Sequence, residues 1–217
     1  MILNLLFPNR CVNCDYIILP TDVICETCFT RLNFTNYEYS ENHHFKQRCS
    51  TLFPIENAFA LFRFEQKSVA REIIHHLKYK GREKIAYQLA AWISNRIDFQ
   101  GSKPDLIITV PLHHKKQKQR GYNQLHLVAD LLSKQWQIPH DKDAIIRKDH
   151  QKAQALKRKN ERNTSNNRFE LQTDIKNKHI LLLDDVFTTG NTLAKIAWEL
   201  LPERNNKISI LVLALDA

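Results

Sequence analysis

ILLLDDVFTTGNT, running from Ile180 to Thr192, is the stretch whose reading decides the fold. Four apolar residues, Ile180 to Leu183, sit between polar neighbours and predict a strand buried on both faces. Two adjacent carboxylates follow, Asp184 and Asp185, and then Thr188, Thr189, Gly190, Asn191 and Thr192. Beyond them Leu193, Ile196, Ala197, Leu200 and Leu201 fall at helical spacing. The order strand, acid pair, small hydroxyl-rich turn, helix puts free helix N-terminal amides just past the carboxyl end of a parallel strand. Open α/β sheets bind ligands at that edge, and the amides and the helix dipole favour an anion there. Gly190 permits close backbone approach, and the threonines add hydroxyl donors.

Carboxylates repel phosphate, so Asp184 and Asp185 should face a group that donates hydrogen bonds. A ribose, with vicinal hydroxyls one step from its 5′-phosphate, suits a diacid placed just before a phosphate cradle. The stretch lacks the lysine of a P-loop and the spacing of a dinucleotide glycine fingerprint. It resembles the 5-phosphoribosyl 1-pyrophosphate (PRPP) motif of type I phosphoribosyltransferases. That resemblance implies a mainly parallel twisted sheet flanked by helices, with Asp184 and Asp185 catalytic and the run Asp184, Asp185, Thr188, Thr189, Gly190, Asn191 and Thr192 binding PRPP. The bland alternative is a buried strand whose acids only cap the next helix.

The chain has 217 residues, 43% of them hydrophobic, with four glycines and seven prolines, which suits one medium domain with a small appendage. No internal repeat is visible, and no apolar run approaches the roughly twenty residues of a membrane span. The opening MILNLLF, broken by Asn4 and ended by Pro8, reads as an apolar arm rather than a signal peptide, and a cytoplasmic location is expected. Net charge is +9 and is concentrated in two segments. Residues 111–120 carry Lys115, Lys116, Lys118 and Arg120 with no acid, and residues 147–168 carry eight basic residues against Asp149 and Glu161. Such segments point to a polyanion, pyrophosphate or nucleic acid, with a solvated basic surface as the alternative.

Near the N-terminus, Cys11, Cys14, Cys25 and Cys28 form two C-x-x-C knuckles bracketing a polar hairpin, Asp15 to Ile24. Four thiolates at that spacing predict a closed, structural Zn²⁺ site, against a redox pair or a chance cluster. Cys49 beside His43 and His44 offers too few ligands for a second site and reads as a free thiol beside surface histidines. Residues 33–54 read as an irregular polar linker, which places the zinc-ribbon-like domain and linker at 1–50 and the main domain at 51–217.

In the main domain, AFALFRF (Ala58 to Phe64) reads as a strand, and Val69, Ile73, Ile74 and Leu77 as a helical face capped near Gly81. A second helix carries Ile85, Leu89, Trp92, Ile93 and Ile97. DLIITV (Asp105 to Val110) is another buried strand, followed by a basic loop, LHHKKQKQRGYNQ, and a helix through Leu125, Val128, Ala129, Leu132 and Trp136. Gly121 is expected at a positive backbone angle and Asn123 as a helix cap. Ala144 to Ile146 gives a short strand, Phe169 to Leu171 is expected to resume the sheet, and Ile208 to Leu215 supplies the last strand.

The four-cysteine N-terminus, LKYKG, VPLH, QRGYNQ and the acid-pair motif together resemble the ComF (competence protein F, ComFC) family across nearly the whole chain. That resemblance implies a zinc domain before a type I phosphoribosyltransferase-like domain and a role in uptake of transforming DNA. It implies PRPP with Mg²⁺ as the ligand, and pyrophosphate held by the first loop, with His113 and Lys115 as candidates. Residues 151–168 fall where the fold carries a loop that closes over PRPP. Lys157, Arg158 and Lys159 are candidates for nucleic-acid contact. Turnover, with phosphoribose moved to an acceptor, stands beside a non-catalytic alternative that senses PRPP or nucleotide and binds single-stranded DNA or a competence helicase. The changed V-P-V-P, here Ile108 to Pro111, bears on turnover more than on binding.

Overall fold

The computed structural model describes residues 7–79, 83–148, 169–202 and 204–216. Five strands form an all-parallel sheet in the order β1 (Ala58–Phe64), β7 (Lys207–Asp216), β6 (His179–Phe187), β2 (Leu106–Thr109) and β3 (His140–Asp141). The acid-pair strand is therefore central, paired to β2 through Leu106↔Ile180 to Thr109↔Leu183 and to β7 from His179↔Lys207 to Phe187↔Leu215. Parallel strands need covered faces, and alternation along β6 supplies the apolar contacts for both. Leu181 and Leu183 join the core under α3 (Val69–Leu77), α4 (Glu83–Ser94) and α6 (Gln124–Trp136). Ile180 and Leu182 join the opposite core, which Phe45 and Cys49 of α2 (His44–Ser50) and Leu193, Ile196 and Leu200 of α7 (Asn191–Leu200) complete. No helix among the described residues is long and apolar enough to cross a membrane.

The N-terminal unit shares the first core. Cys11, Val23, Ile24, Cys28 and Leu32 pack in one cluster with Phe59, Leu89 and Trp92. Its one short helix, α1 (Glu26–Phe29), carries Cys28. Phe29, Phe34 and Phe62 surround Trp92 with ring centroids about 6 Å away.

Several expectations are corrected. Residues 33–54 are not a linker: Phe34 bridges to Phe62, Tyr39, Phe45 and Phe53 are fully buried, and α2 forms with His43 as its cap. The aromatics scattered through that polar stretch supply apolar area that only a packed segment can bury. The basic loop after β2 is instead helical, α5 (His114–Arg120), since Lys, Gln and Arg are good helix formers and their charges can stay in water. Phe169–Leu171 (β5) does not rejoin the sheet but pairs antiparallel with β4 (Ile145–Arg147) alone. The edge place falls to the two-residue β3, which sequence reading did not mark. Cys49 is a free thiol, as expected, and lies fully buried, which pushes it up to about 12. Trp136, expected in the core, is half-buried against Phe99. Most of the apolar arm (residues 1–6), Gly81, and the segment with Lys157, Arg158 and Lys159 lie outside the described residues.

Candidate functional site

β6 runs further than its apolar residues, through both acids to Phe187. Thr188 and Thr189 then turn the chain, and Gly190 stands at the helix N-cap with φ 73° and no side-chain cap. That left-handed backbone suits glycine. Space demands it as well: a Cβ there would collide with Leu52 Cδ1 and lie 2.7 and 2.8 Å from the Phe187 ring. Asp184 and residues 186–193 line a small cup of about 40 Å³ facing the first free amides of α7. Thr188, Thr189 and Asn191 are exposed at its rim.

The turn is braced from outside the motif. Arg48 of α2 donates from Nη1 to the Asp216 carbonyl and from Nη2 to the Thr188 carbonyl, both at 2.9 Å. Its guanidinium lies 5.2 Å from the Phe187 ring centroid. Trp198 Nε1 donates to the Leu52 carbonyl at 3.1 Å, fixing the residue that walls Gly190.

The two acids leave the strand to different sides. Asp184 lines the threonine cup, and its Oδ1 accepts the Asp185 amide at 2.8 Å. Asp185 faces the α3 and α6 side: its Oδ2 accepts from Gln124 Nε2 at 3.3 Å and lies 3.9 Å from Lys78 Nζ. Arg120 Nη1 in turn donates to Gln124 Oε1 at 3.0 Å. Lys78 of LKY and Gln124 of QRGYNQ are thus the partners of Asp185, with Arg120 behind Gln124, a role that sequence reading did not give them. Gly121 ends α5 at φ 74° as expected, and Asn123 caps α6 by accepting the Leu125 amide while donating to the Val110 carbonyl. Of the expected pyrophosphate residues, His113 sits at the start of α5, and Lys115 lies on that helix with its side chain outside the described part.

Burial, and then the neighbouring Asp185 charge, push the Asp184 carboxyl up to about 7, against the Asp185 amide and the more distant Lys116. Burial lowers the Lys78 ammonium, which the Asp185 charge offsets and Arg120 and Lys116 reinforce. A carboxyl raised in the fold binds a proton that the unfolded chain has already lost, so it opposes folding as pH climbs from about 4 to about 7. The urea midpoint of the ligand-free protein is expected to fall between pH 5 and pH 8, and Asp184→Asn to flatten that fall. An equal decline in the variant would assign the effect to other groups.

In the N-terminal unit, the Sγ atoms of Cys11, Cys14, Cys25 and Cys28 all lie within 4.8 Å of one another. Tetrahedral zinc with bonds of about 2.3 Å sets thiolates roughly 3.8 Å apart, so the donor set fits that ion. Asn13 Nδ2 and the Cys28 amide already point at sulfur, at 3.2 and 3.4 Å, as donors beside a metal thiolate do. This is the sole such cluster among the described residues. His43, once a candidate for another, caps α2 through Nδ1, meets the Ala58 carbonyl through Nε2 and stacks on Tyr37.

A parallel sheet whose central strand ends in an acid pair and a threonine turn at a helix start defines the phosphoribosyltransferase class of fold. The phosphoribosyl transferase domain family matches residues 77–217 and the double zinc ribbon domain family residues 2–42. Over 150 residues the chain is 33% identical to the DNA utilization protein YhgH of Escherichia coli O157:H7, covering 64% of this chain and 63% of that one. It is 38% identical over 98 residues to competence protein F of Haemophilus influenzae Rd, covering 43% of each. It is 28% identical over 134 residues to competence protein ComFC of Bacillus subtilis 168, covering 60% of this chain and 52% of that one. The matches thus span less than two thirds of these relatives' length. The chain belongs to the phosphoribosyl transferase domain family and, within it, to the ComF family, with a zinc-ribbon unit at its N-terminus whose four clustered cysteines support structural zinc.

Proposed function

We propose that the protein binds PRPP and acts in the uptake or use of DNA, a reading supported by relatives named for DNA utilization and competence. One observation carries the binding half: a diacid and a threonine cup closed by a glycine, at the carboxyl edge of the central strand. In this reading the 5′-phosphate takes the α7 amides and the hydroxyls of Thr188, Thr189 and Thr192, with Gly190 and Asn191 shaping the turn. The ribose lies across the strand end, bracketed by Asp184 and Asp185, whose charge would also stabilise an oxocarbenium-like centre. Pyrophosphate lies toward His113 and Lys115. Mg²⁺, when bound, neutralises charge on the pyrophosphate oxygens with few protein ligands. The zinc ribbon match ends at residue 42, and α2 beyond it belongs with the ligand-binding body. A cytoplasmic setting belongs to the same reading, since a reducing compartment keeps four ligand thiols from pairing.

Calorimetric titration with PRPP and Mg²⁺ tests it. Wild type is expected to bind, and the double variant Asp184→Asn, Asp185→Asn to lose at least about tenfold in affinity, each charged hydrogen bond contributing about 1.5–3 kcal/mol. Unchanged affinity in the double variant would remove the diacid from the site. Pyrophosphate appearing during the titration would mark a site that cleaves the anomeric bond with water as the acceptor, and the titration otherwise reads binding alone.

A further inference from the structure

Two clefts open on the Asp185 side of the sheet and belong to no role given so far. One, of about 640 Å³, is cationic, lined by Lys78, Lys118 and Arg120 with His75. The other, of about 550 Å³, joins apolar Leu77, Ala86 and Leu127 to the polar edges of Gln117, Gln124 and His126. They meet at a common waist made by Tyr79, Gly121 and Tyr122. Both volumes fall within the usual range for small-molecule sites.

The chemistry of the two lobes differs in a way one ligand can satisfy. The cationic lobe suits a phosphate, because guanidinium and ammonium groups gather there and no carboxylate is among the described residues that line it. The second lobe offers apolar walls and the hydrogen-bonding edges of Gln117, Gln124 and His126, with the Glu83 carboxylate on its α4 side. Its His126 is held neutral, down to about 4, by burial and then by the charges of His140 and Lys142. Asp130, at its border, is taken up by His140 Nδ1 at 2.9 Å and Lys142 Nζ at 2.7 Å. Tyr79, 55% exposed, and half-buried Tyr122 present rings at the junction, where stacking on a planar heterocycle is available.

We propose that this paired cleft is a nucleotide site: phosphate against Lys78, Lys118 and Arg120, sugar at the tyrosine waist, and base in the lobe between α4 and α6. It is separate from the threonine cup, which opens on the Asp184 side. It is coupled to the ribose site, because Lys78 contacts Asp185 directly and Arg120 reaches it through Gln124. A phosphate that recruits Lys78 and Arg120 changes the charge around Asp185. The nucleotide unit has two sources, a free nucleotide or the 5′-phosphorylated end of a single strand.

The test is calorimetric titration of the full chain with AMP, adenosine, ribose 5-phosphate, and an oligodeoxyadenylate with and without a 5′-phosphate. AMP or the phosphorylated oligonucleotide is expected to bind at least about tenfold more tightly than the compounds lacking base or phosphate. Tyr79→Ala and Lys118→Gln, both at exposed positions, are expected to weaken it by about five- to tenfold without shifting the melting temperature. Thr189→Val is expected to lower only the component of affinity that AMP shares with ribose 5-phosphate, which the cup supplies. Tighter binding of the oligonucleotide assigns the unit to a strand end, and tighter binding of AMP to a free nucleotide. Affinity that follows Thr189→Val instead of the other two variants would place the ligand in the cup and overturn the proposal. So would equal affinity for AMP and adenosine, or no binding of either phosphorylated probe. Because no variant here touches the acid pair, failure of PRPP binding and failure of this site are read separately.

Discussion

Gly190→Ala is expected to lose PRPP binding and to melt well below wild type. Two penalties act together. The left-handed backbone costs a residue with a Cβ about 1–2 kcal/mol, and the methyl must displace Leu52 or the Phe187 ring. The Phe187 ring cannot yield readily, whereas Leu52 meets the methyl with the end of its side chain alone. Phe187 is 2% exposed, packed edge-to-face on Phe45 at 4.9 Å and covered by Arg48, while Leu52 is held through its carbonyl by Trp198. Overpacking of this kind adds about 1–3 kcal/mol, and the strain falls on the turn whose amides are to hold the phosphate. Gly101→Ala is the control, since Gly101 has φ 84° but nothing within 4 Å of an added Cβ. Calorimetric melting of both variants separates the backbone penalty from the packing one. Equal losses would show that the wall behind Gly190 gives way and that the cup is not tightly shaped.

Removing zinc is expected to cost roughly 10 °C or more in melting temperature, since structural zinc contributes directly to folding and about 1 kcal/mol is worth 2–4 °C in a chain of this size. The effect should reach beyond the ribbon. Cys11 and Cys28 belong to the same buried cluster as Leu89 and Ile93, and Phe29 and Phe34 pack on Trp92. A strong chelator should therefore change tryptophan emission as it lowers the melting temperature, and Trp92→Phe should remove most of the emission change. Cys28→Ser should reproduce both effects without chelator. A chelated protein, shown by metal analysis to be zinc-free, with unchanged melting and emission would mean that packing alone holds the ribbon.

The central motif was readable because everything it needs is local: apolar run, acids, turn and helical spacing lie within about twenty consecutive residues. The cysteine knuckles were readable for the same reason. What surrounds the acids was not. LKY and QRGYNQ stand out as strings, yet nothing in their spacing says that Lys78 and Gln124 converge on Asp185, a contact spanning 61 residues in the case of Gln124. Arg48 gave no signal at all, because a single arginine in a polar stretch resembles any solvated surface cation. The segment after β2 was misread for the opposite reason: its density of lysines suggested a loop, whereas charge on one exposed helix is no obstacle to helicity. Residues 33–54 were misjudged by average polarity, which hid a few large aromatic side chains that decide where a segment packs.

The brace formed by Arg48 and Leu52 makes the acid-pair motif less portable than its compact sequence implies. Both residues precede residue 77, where the domain match begins. A graft of Ile180 to Thr192 onto another sheet, or a shortened chain starting at that boundary, would carry the ligand-facing groups and leave behind the scaffolding at their back. Anyone borrowing this motif would have to borrow a distant helix with it.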